Sequence, residues 1–194
     1  MTDRYRTFKD LAANEQLEID YRIRVRDRGS LSVIIAPHGG WIEPGTSEIA
    51  EAIAGTDLSF YAFEALKVGA HGDLHITSHR FDEPTALDLV SRSRAAVAIH
   101  GRRNDGSEAV WLGGRAIDLR DVIGACLRSA GFEAETNRRL PGLERTNVCN
   151  RTISGEGVQL ELPRSLRHQL TSRTDLLRDF REAVRNAIVA SPPT

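Results

Sequence analysis

The chain has 194 residues, of which 40% are hydrophobic and 27% charged, with a formal net charge of −1. That length suits one domain with a substantial core, and near-neutrality argues against a protein that grips nucleic acid through its overall field. No stretch approaches the roughly 20 apolar residues of a membrane span, and MTDRYRTFKD lacks the apolar centre of a signal peptide. Cys126 and Cys149 read as free thiols of a chain made in the cytoplasm, not as a disulfide framework. Arginine greatly outnumbers lysine, which suits bidentate carboxylate recognition but also follows from a GC-rich genome.

In chain order, the alternation of Tyr21, Ile23 and Val25 predicts a strand over Tyr21–Arg26, and the apolar run LSVIIA predicts a second over residues 31–36. The segment APHGGWIEPGTSE follows directly. It sets His38 and Glu43 five residues apart at the carboxyl end of that strand, with two glycines between them to fold the backbone around an ion. Imidazole plus carboxylate is a common start to a catalytic zinc site, which takes three protein ligands and keeps one position open. The alternative is a histidine packed in a turn and a glutamate capping the helix TSEIAEAIAG, which begins near Thr46 and closes at Gly55.

Residues 59–63 and 74–77 read as further strands, and Pro84 opens a helix. His71, His75 and His79 are spaced by four, yet Gly69, Gly72 and the β-favouring LHITS argue for loop then strand. His75 then reads as a buried hydrogen-bonding residue and His79 as an edge of the pocket. Asp82 and Glu83 are accounted for as helix caps.

Residues 95–100, AAVAIH, form another apolar strand that delivers His100 into a Gly-Arg-Arg loop. His100 is the natural third ligand, and Arg102 or Arg103 should line the mouth of the site. Strands over residues 109–112 and 132–135 flank a helix that begins near Ile117 and ends at Gly131. Arg151, with Asn147 and Asn150 beside it, would aim its fork at a substrate carboxylate or a developing oxyanion, or is a surface arginine in a turn.

The last strand, residues 158–162, puts Gln159 and Glu161 on one face and Val158, Leu160 and Leu162 on the other. A glutamate in an apolar strand is costly to bury unpaired, so Glu161 is the candidate general base; the alternative is an edge strand facing water. A final helix over Thr174–Ala190 stops at Ser191-Pro192-Pro193. The sum is a single α/β domain, an open mixed sheet flanked by helices, with the first 20 or so residues and the C-terminal tail peripheral.

APHGGWIEPGTSEIAEAI, SFYAFEAL, LHITSHRFDEP, AVAIHG and TNVCNRTISGEGVQLELP resemble, in that order, the phage- and Bacillus-type poly-γ-glutamate hydrolases, some of which carry the label phage-related replication protein. The resemblance implies a fold similar to zinc carboxypeptidases, one Zn²⁺ per chain on His38, Glu43 and His100, and Glu161 as base. Arg151 is expected to act beside Glu161 in catalysis, and Arg102, Arg103, Asn150 and His79 to bind the substrate. The implied activity is endo-hydrolysis of γ-glutamyl amides in a polyanionic polymer by a monomer that binds neither nucleic acid nor membrane. Such an enzyme, lacking a signal peptide, would reach a capsule after lysis. A zinc amidase of small N-acyl amino acids is the alternative, and a DNA-associated replication factor the third reading. Ala65 and His71 stand where family members commonly carry glycine and asparagine.

Overall fold

The computed structural model describes residues 3–69 and 71–191, apart from the His71 side chain. Its strands are β1 (Tyr21–Arg26), β2 (Ser32–Gly40), β3 (Ser59–Ala65), β4 (Ala95–Arg102), β5 (Val110–Gly114), β6 (Ala134–Thr136) and β7 (Val158–Pro163). Its helices are α1 (Phe8–Asn14), α2 (Thr46–Ala54), α3 (His71–Leu74), α4 (Pro84–Ser91), α5 (Ile117–Ser129), α6 (Arg164–Ser172) and α7 (Thr174–Ala190), with a 3₁₀ turn, η1, over Val148–Asn150. The strands form one sheet in the order β1-β3-β2-β4-β7-β5-β6. Its centre, β3-β2-β4-β7, is parallel, while β1 and β5 join antiparallel and β6 adds parallel to β5.

Alternate residues of the central strands divide between two apolar layers, as expected of strands buried on both faces. Ile34, Phe60, Val97, Ile99 and Leu160 pack against α2, α5 and α7 through Ile49, Ile53, Ile123, Phe180 and Val184. Val33, Ile35, Tyr61, Phe63, Ala96 and Ala98 face the other layer, built from Tyr5, Leu11, Phe81, Leu89 and Val90. None of the helices in the described residues is long and apolar enough to cross a membrane.

Two expectations are corrected. Residues 75–77 form no strand: Leu74 ends α3, and the Thr77 amide donates to the Asp3 carboxylate instead of to a ladder. The described part of the N-terminal segment is not wholly peripheral, because Leu11 is fully buried and Tyr5 nearly so. Three helices had escaped the pattern, the four-residue α3 among them. In α6 Leu166 and Leu170, four apart, are the only apolar side chains buried in an otherwise polar segment, and α1 buries Leu11 alone. Helix α7 spans the expected residues; Pro192 and Pro193 lie outside the described ones. Cys126 and Cys149 are free thiols.

Candidate metal centre and catalytic cleft

From β2 the chain crosses through α2 to β3 on one side, then returns past α4 to β4 on the other. The carboxyl ends of β2 and β4 therefore part at a topological switch point, where open α/β sheets place their ligand crevices. His38 leaves β2 there and His100 leaves β4.

Strict alternation would set His38 on the face of Ile34 and Ala36, away from His100. An irregularity in the β2–β3 register between Ala36 and Gly39 inserts one residue and turns His38 onto the face that His100 and Glu161 share; re-aiming a side chain beside a site is a common use of a bulge. The following glycines are required. A Cβ on Gly39 would lie 2.0 Å from Ser47 Oγ, and Gly40 has φ 61° with its Cβ position 2.2 Å from the Ala65 carbonyl oxygen.

The His38, Glu43 and His100 side chains are all buried. His38 Nε2 lies 2.8 Å from the Ile76 carbonyl oxygen. A carbonyl only accepts, so Nε2 carries a proton, and in the neutral form of the ring Nδ1 is left with its lone pair. That lone pair meets His100 Nδ1 at 3.1 Å and Glu43 Oε1 at 3.4 Å, and Glu43 Oε2 lies 3.7 Å from His100 Nδ1. Tetrahedral ligands about 2.0–2.1 Å from a zinc ion stand about 3.3–3.4 Å apart, and the two Nδ1 atoms and the Glu43 carboxylate, which meets one ring through each of its oxygens, are spaced close to that. Each is braced from behind, as ligating groups usually are: Ser78 Oγ is 3.3 Å from His100 Nε2, and the Gly101 amide donates to Glu43 Oε2 at 2.7 Å. Burial would raise the Glu43 pKa, but the positive charge of His38 and His100 in their protonated forms outweighs it and holds the carboxyl well below its usual range. Glu43 does not cap α2, whose N-cap is Gly45 with no side-chain bond.

Glu161 pairs in register with His100 on interior strand β7 and is buried, not at an edge. Burial pushes its pKa up to about 7, against the pull of His100. Gln159 Nε2 donates to Glu161 Oε1 at 3.0 Å, and Asn147 Nδ2 donates to Gln159 Oε1 at 2.9 Å. The four side chains most important to the expected site are thus brought together.

The surrounding residues divide. Arg102 is buried, its guanidinium 3.9 Å above the Trp111 ring and donating to Asp105 and to the Ser107 and Ala109 carbonyls. Those contacts brace the loop and leave no open fork for a substrate. Asn150 is also committed: its amide donates to the Gly142 and Glu144 carbonyls, and its oxygen accepts from the Arg115 and Gly157 amides. Arg103 and His79 are exposed, and Arg151 is half-buried. Arg151 donates through Nε to the Thr146 carbonyl and has no carboxylate in ion-pair range among the described residues. The Val148 amide donates to the Ser78 carbonyl at 3.0 Å, which ties the loop of Arg151 to that of His79.

Beside Glu43 opens a cleft of about 350 Å³, walled by Trp41, Pro44 and Val68 and lined by Arg102, Arg103, Arg164 and Arg167. Arg167 is fixed by the Leu162, Pro44 and Arg102 carbonyls, whereas Arg164 is exposed. Arg164 and Arg167 were missed because α6 itself was missed, and Trp41, just after β2, was passed over between the two candidate ligands His38 and Glu43. His75 makes the hydrogen bond expected of it, to Asp3, but its ring also lies 4.2 Å from that of His38, tilted by 35°. Donor atoms of His38, Glu43 and His75 also fall within 4.8 Å of one another, a second candidate ligand group, although His75 Nδ1 is bonded to Asp3 at 2.8 Å.

The poly-gamma-glutamate hydrolase profile matches residues 5–188. The SPbeta prophage-derived UPF0714 protein YoqZ of Bacillus subtilis is 37% identical over 171 residues, 87% of this chain and 61% of its own length. The chain thus spans less than two thirds of that relative. A solved bacteriophage poly-gamma-glutamate hydrolase superposes with a TM-score of 0.93 at 31% identity over 98% of both chains. A zinc-free apo form of YndL gives a TM-score of 0.91 at 28% identity, covering 98% of this chain and all of that one. The ordered motifs, the sheet that carries them and the match over nearly the whole length agree: the chain belongs to the poly-γ-glutamate hydrolase family.

Proposed function

We propose that this chain is a zinc-dependent hydrolase that cleaves the γ-glutamyl amide bonds of poly-γ-glutamate, with His38, Glu43 and His100 holding the metal. The convergence of two histidine nitrogens and a buried carboxylate at 3.1, 3.4 and 3.7 Å supports this reading most strongly. When bound, zinc supplies a lowered water pKa and a polarised carbonyl.

Glu161 takes the proton of the attacking water and delivers it to the leaving amine. Gln159 fixes that carboxylate by one oxygen and leaves the other to carry the proton. Burial of Glu161, His38 and His100 keeps bulk water from competing for it. A γ-linked chain alternates short apolar spacers with free α-carboxylates. The cleft beside Glu43 offers apolar walls from Trp41 and Val68 and cations from Arg103 and Arg164. Arg151 and His79, on loops joined by the Val148–Ser78 bond, are further candidates to meet the chain.

The test compares a long γ-glutamyl polymer with short N-acyl amino acids as substrates of the purified, zinc-loaded protein. Shortening of the polymer with the small amides untouched is the expected result. Turnover of the small amides alone would make the chain a small-molecule amidase.

A further inference from the structure

Residues 75–78 supply the outer contacts of both candidate histidine ligands: the Ile76 carbonyl accepts from His38 Nε2, and Ser78 Oγ meets His100 Nε2. This stretch belongs to no strand and has no ladder to hold it. Its anchor comes from far away in sequence. The Asp3 side chain, only 6% exposed, accepts from His75 Nδ1 at 2.8 Å, from the Thr77 amide at 2.8 Å and from the Thr77 hydroxyl at 2.7 Å. One carboxylate therefore satisfies three donors on either side of the carbonyl that sets the His38 tautomer.

We infer that Asp3 is a positioning residue of the metal centre: it clamps residues 75–77 so that the Ile76 carbonyl holds His38 with Nδ1 free to bind the ion. This rests on the reading of His38, Glu43 and His100 as the ligands. The carboxylate acts at two removes, through the loop and then through the ring, and touches neither metal nor substrate. Its bond to His75 also fixes the ring stacked on His38, so the clamp limits the tilt of the ligand from a second side. A bare loop would let the Ile76 carbonyl turn toward solvent and the His38 proton move to Nδ1, where it blocks ligation.

The experiment measures zinc affinity by chelator competition in Asp3→Ala and Asp3→Asn, together with imidazole ¹⁵N shifts of the metal-free proteins. Loss of an outer contact typically weakens metal binding about 10–100-fold, and Asp3→Ala should fall in that range, with Asp3→Asn between it and the parent. The His38 ¹⁵N pattern should shift from the Nε2–H tautomer toward a mixture. Tyr5→Phe, which removes the 2.7 Å bond from Tyr5 to Glu15 in the same N-terminal segment, controls for general loosening and should leave zinc affinity within about twofold. An unchanged affinity in Asp3→Ala, or an equal loss in Tyr5→Phe, overturns the inference. If the parent protein takes up no zinc, the ligand reading falls, and the His38 tautomer still decides whether Asp3 positions the ring.

Discussion

Glu161 and His100 sit side by side on neighbouring strands, yet the account gives them different work, and substitution separates the two. Glu161→Gln keeps the shape of the side chain and removes the base. Zinc content should match the parent while turnover of the polymer falls by about 10²–10⁴-fold, the usual worth of positioned proton transfer. Retention of the parental rate would remove Glu161 from the chemistry. His100→Ala withdraws one of three donors, so metal content after dialysis should drop sharply; full occupancy would take His100 out of the ligand set. These residues were legible because each breaks an apolar strand, where a polar side chain needs a partner. Arg102 lines the cleft as expected, but Arg102 as a substrate-binding fork and Asn150 were misjudged. Their neighbours in sequence suggested a site, whereas their hydrogen bonds run to carbonyls that only the folded loops bring near.

At the scale of elements, the central strands and the longer helices were legible from apolar runs and helical spacing. The bulge that turns His38 was not, since a one-residue shift of register leaves no mark in composition. Short α1 and α6 bury too few apolar side chains to show a period, and residues 75–77 look β-favouring although their polar groups bind Asp3. The turn η1 docks so closely on the start of β7 that a Cβ on Gly157 would meet the Cys149 carbonyl oxygen at 1.9 Å. Gly157→Ala should therefore cost at least about 1–3 kcal/mol, the usual penalty of overpacking, read as a lowered melting temperature; an unchanged one would contradict this packing. The same docking buries Cys149, whose thiol is pushed up to about 12 by burial. Between pH 7 and 9 a free thiol gains thiolate steeply, whereas Cys149 should not, so its alkylation in the folded protein should stay slow across that range. Rapid labelling at pH 9 without unfolding would refute the burial.

The whole molecule carries a net charge of −1, so attraction for a polyanion has to be local. Arg103 and Arg164 stand beside the cleft and are exposed. Charge-assisted hydrogen bonds contribute about 1.5–3 kcal/mol each, so replacing both arginines by alanine should raise KM about tenfold or more with kcat little changed. Exposed charges are screened over about 8 Å at physiological ionic strength, so KM on the polymer should also climb with added salt. A salt-insensitive KM would detach the arginines from substrate binding. The sheet, its switch point and the bulge matter because they deliver His38, Glu43 and His100 to one point, where on the proposed reading they would hold the zinc needed for amide cleavage. Polymer chain length, followed by size-exclusion chromatography with chelator and zinc add-back arms, tests that claim most directly. Shortening that stops with chelator and returns with zinc is the predicted result. Shortening that continues in a metal-stripped protein would contradict it.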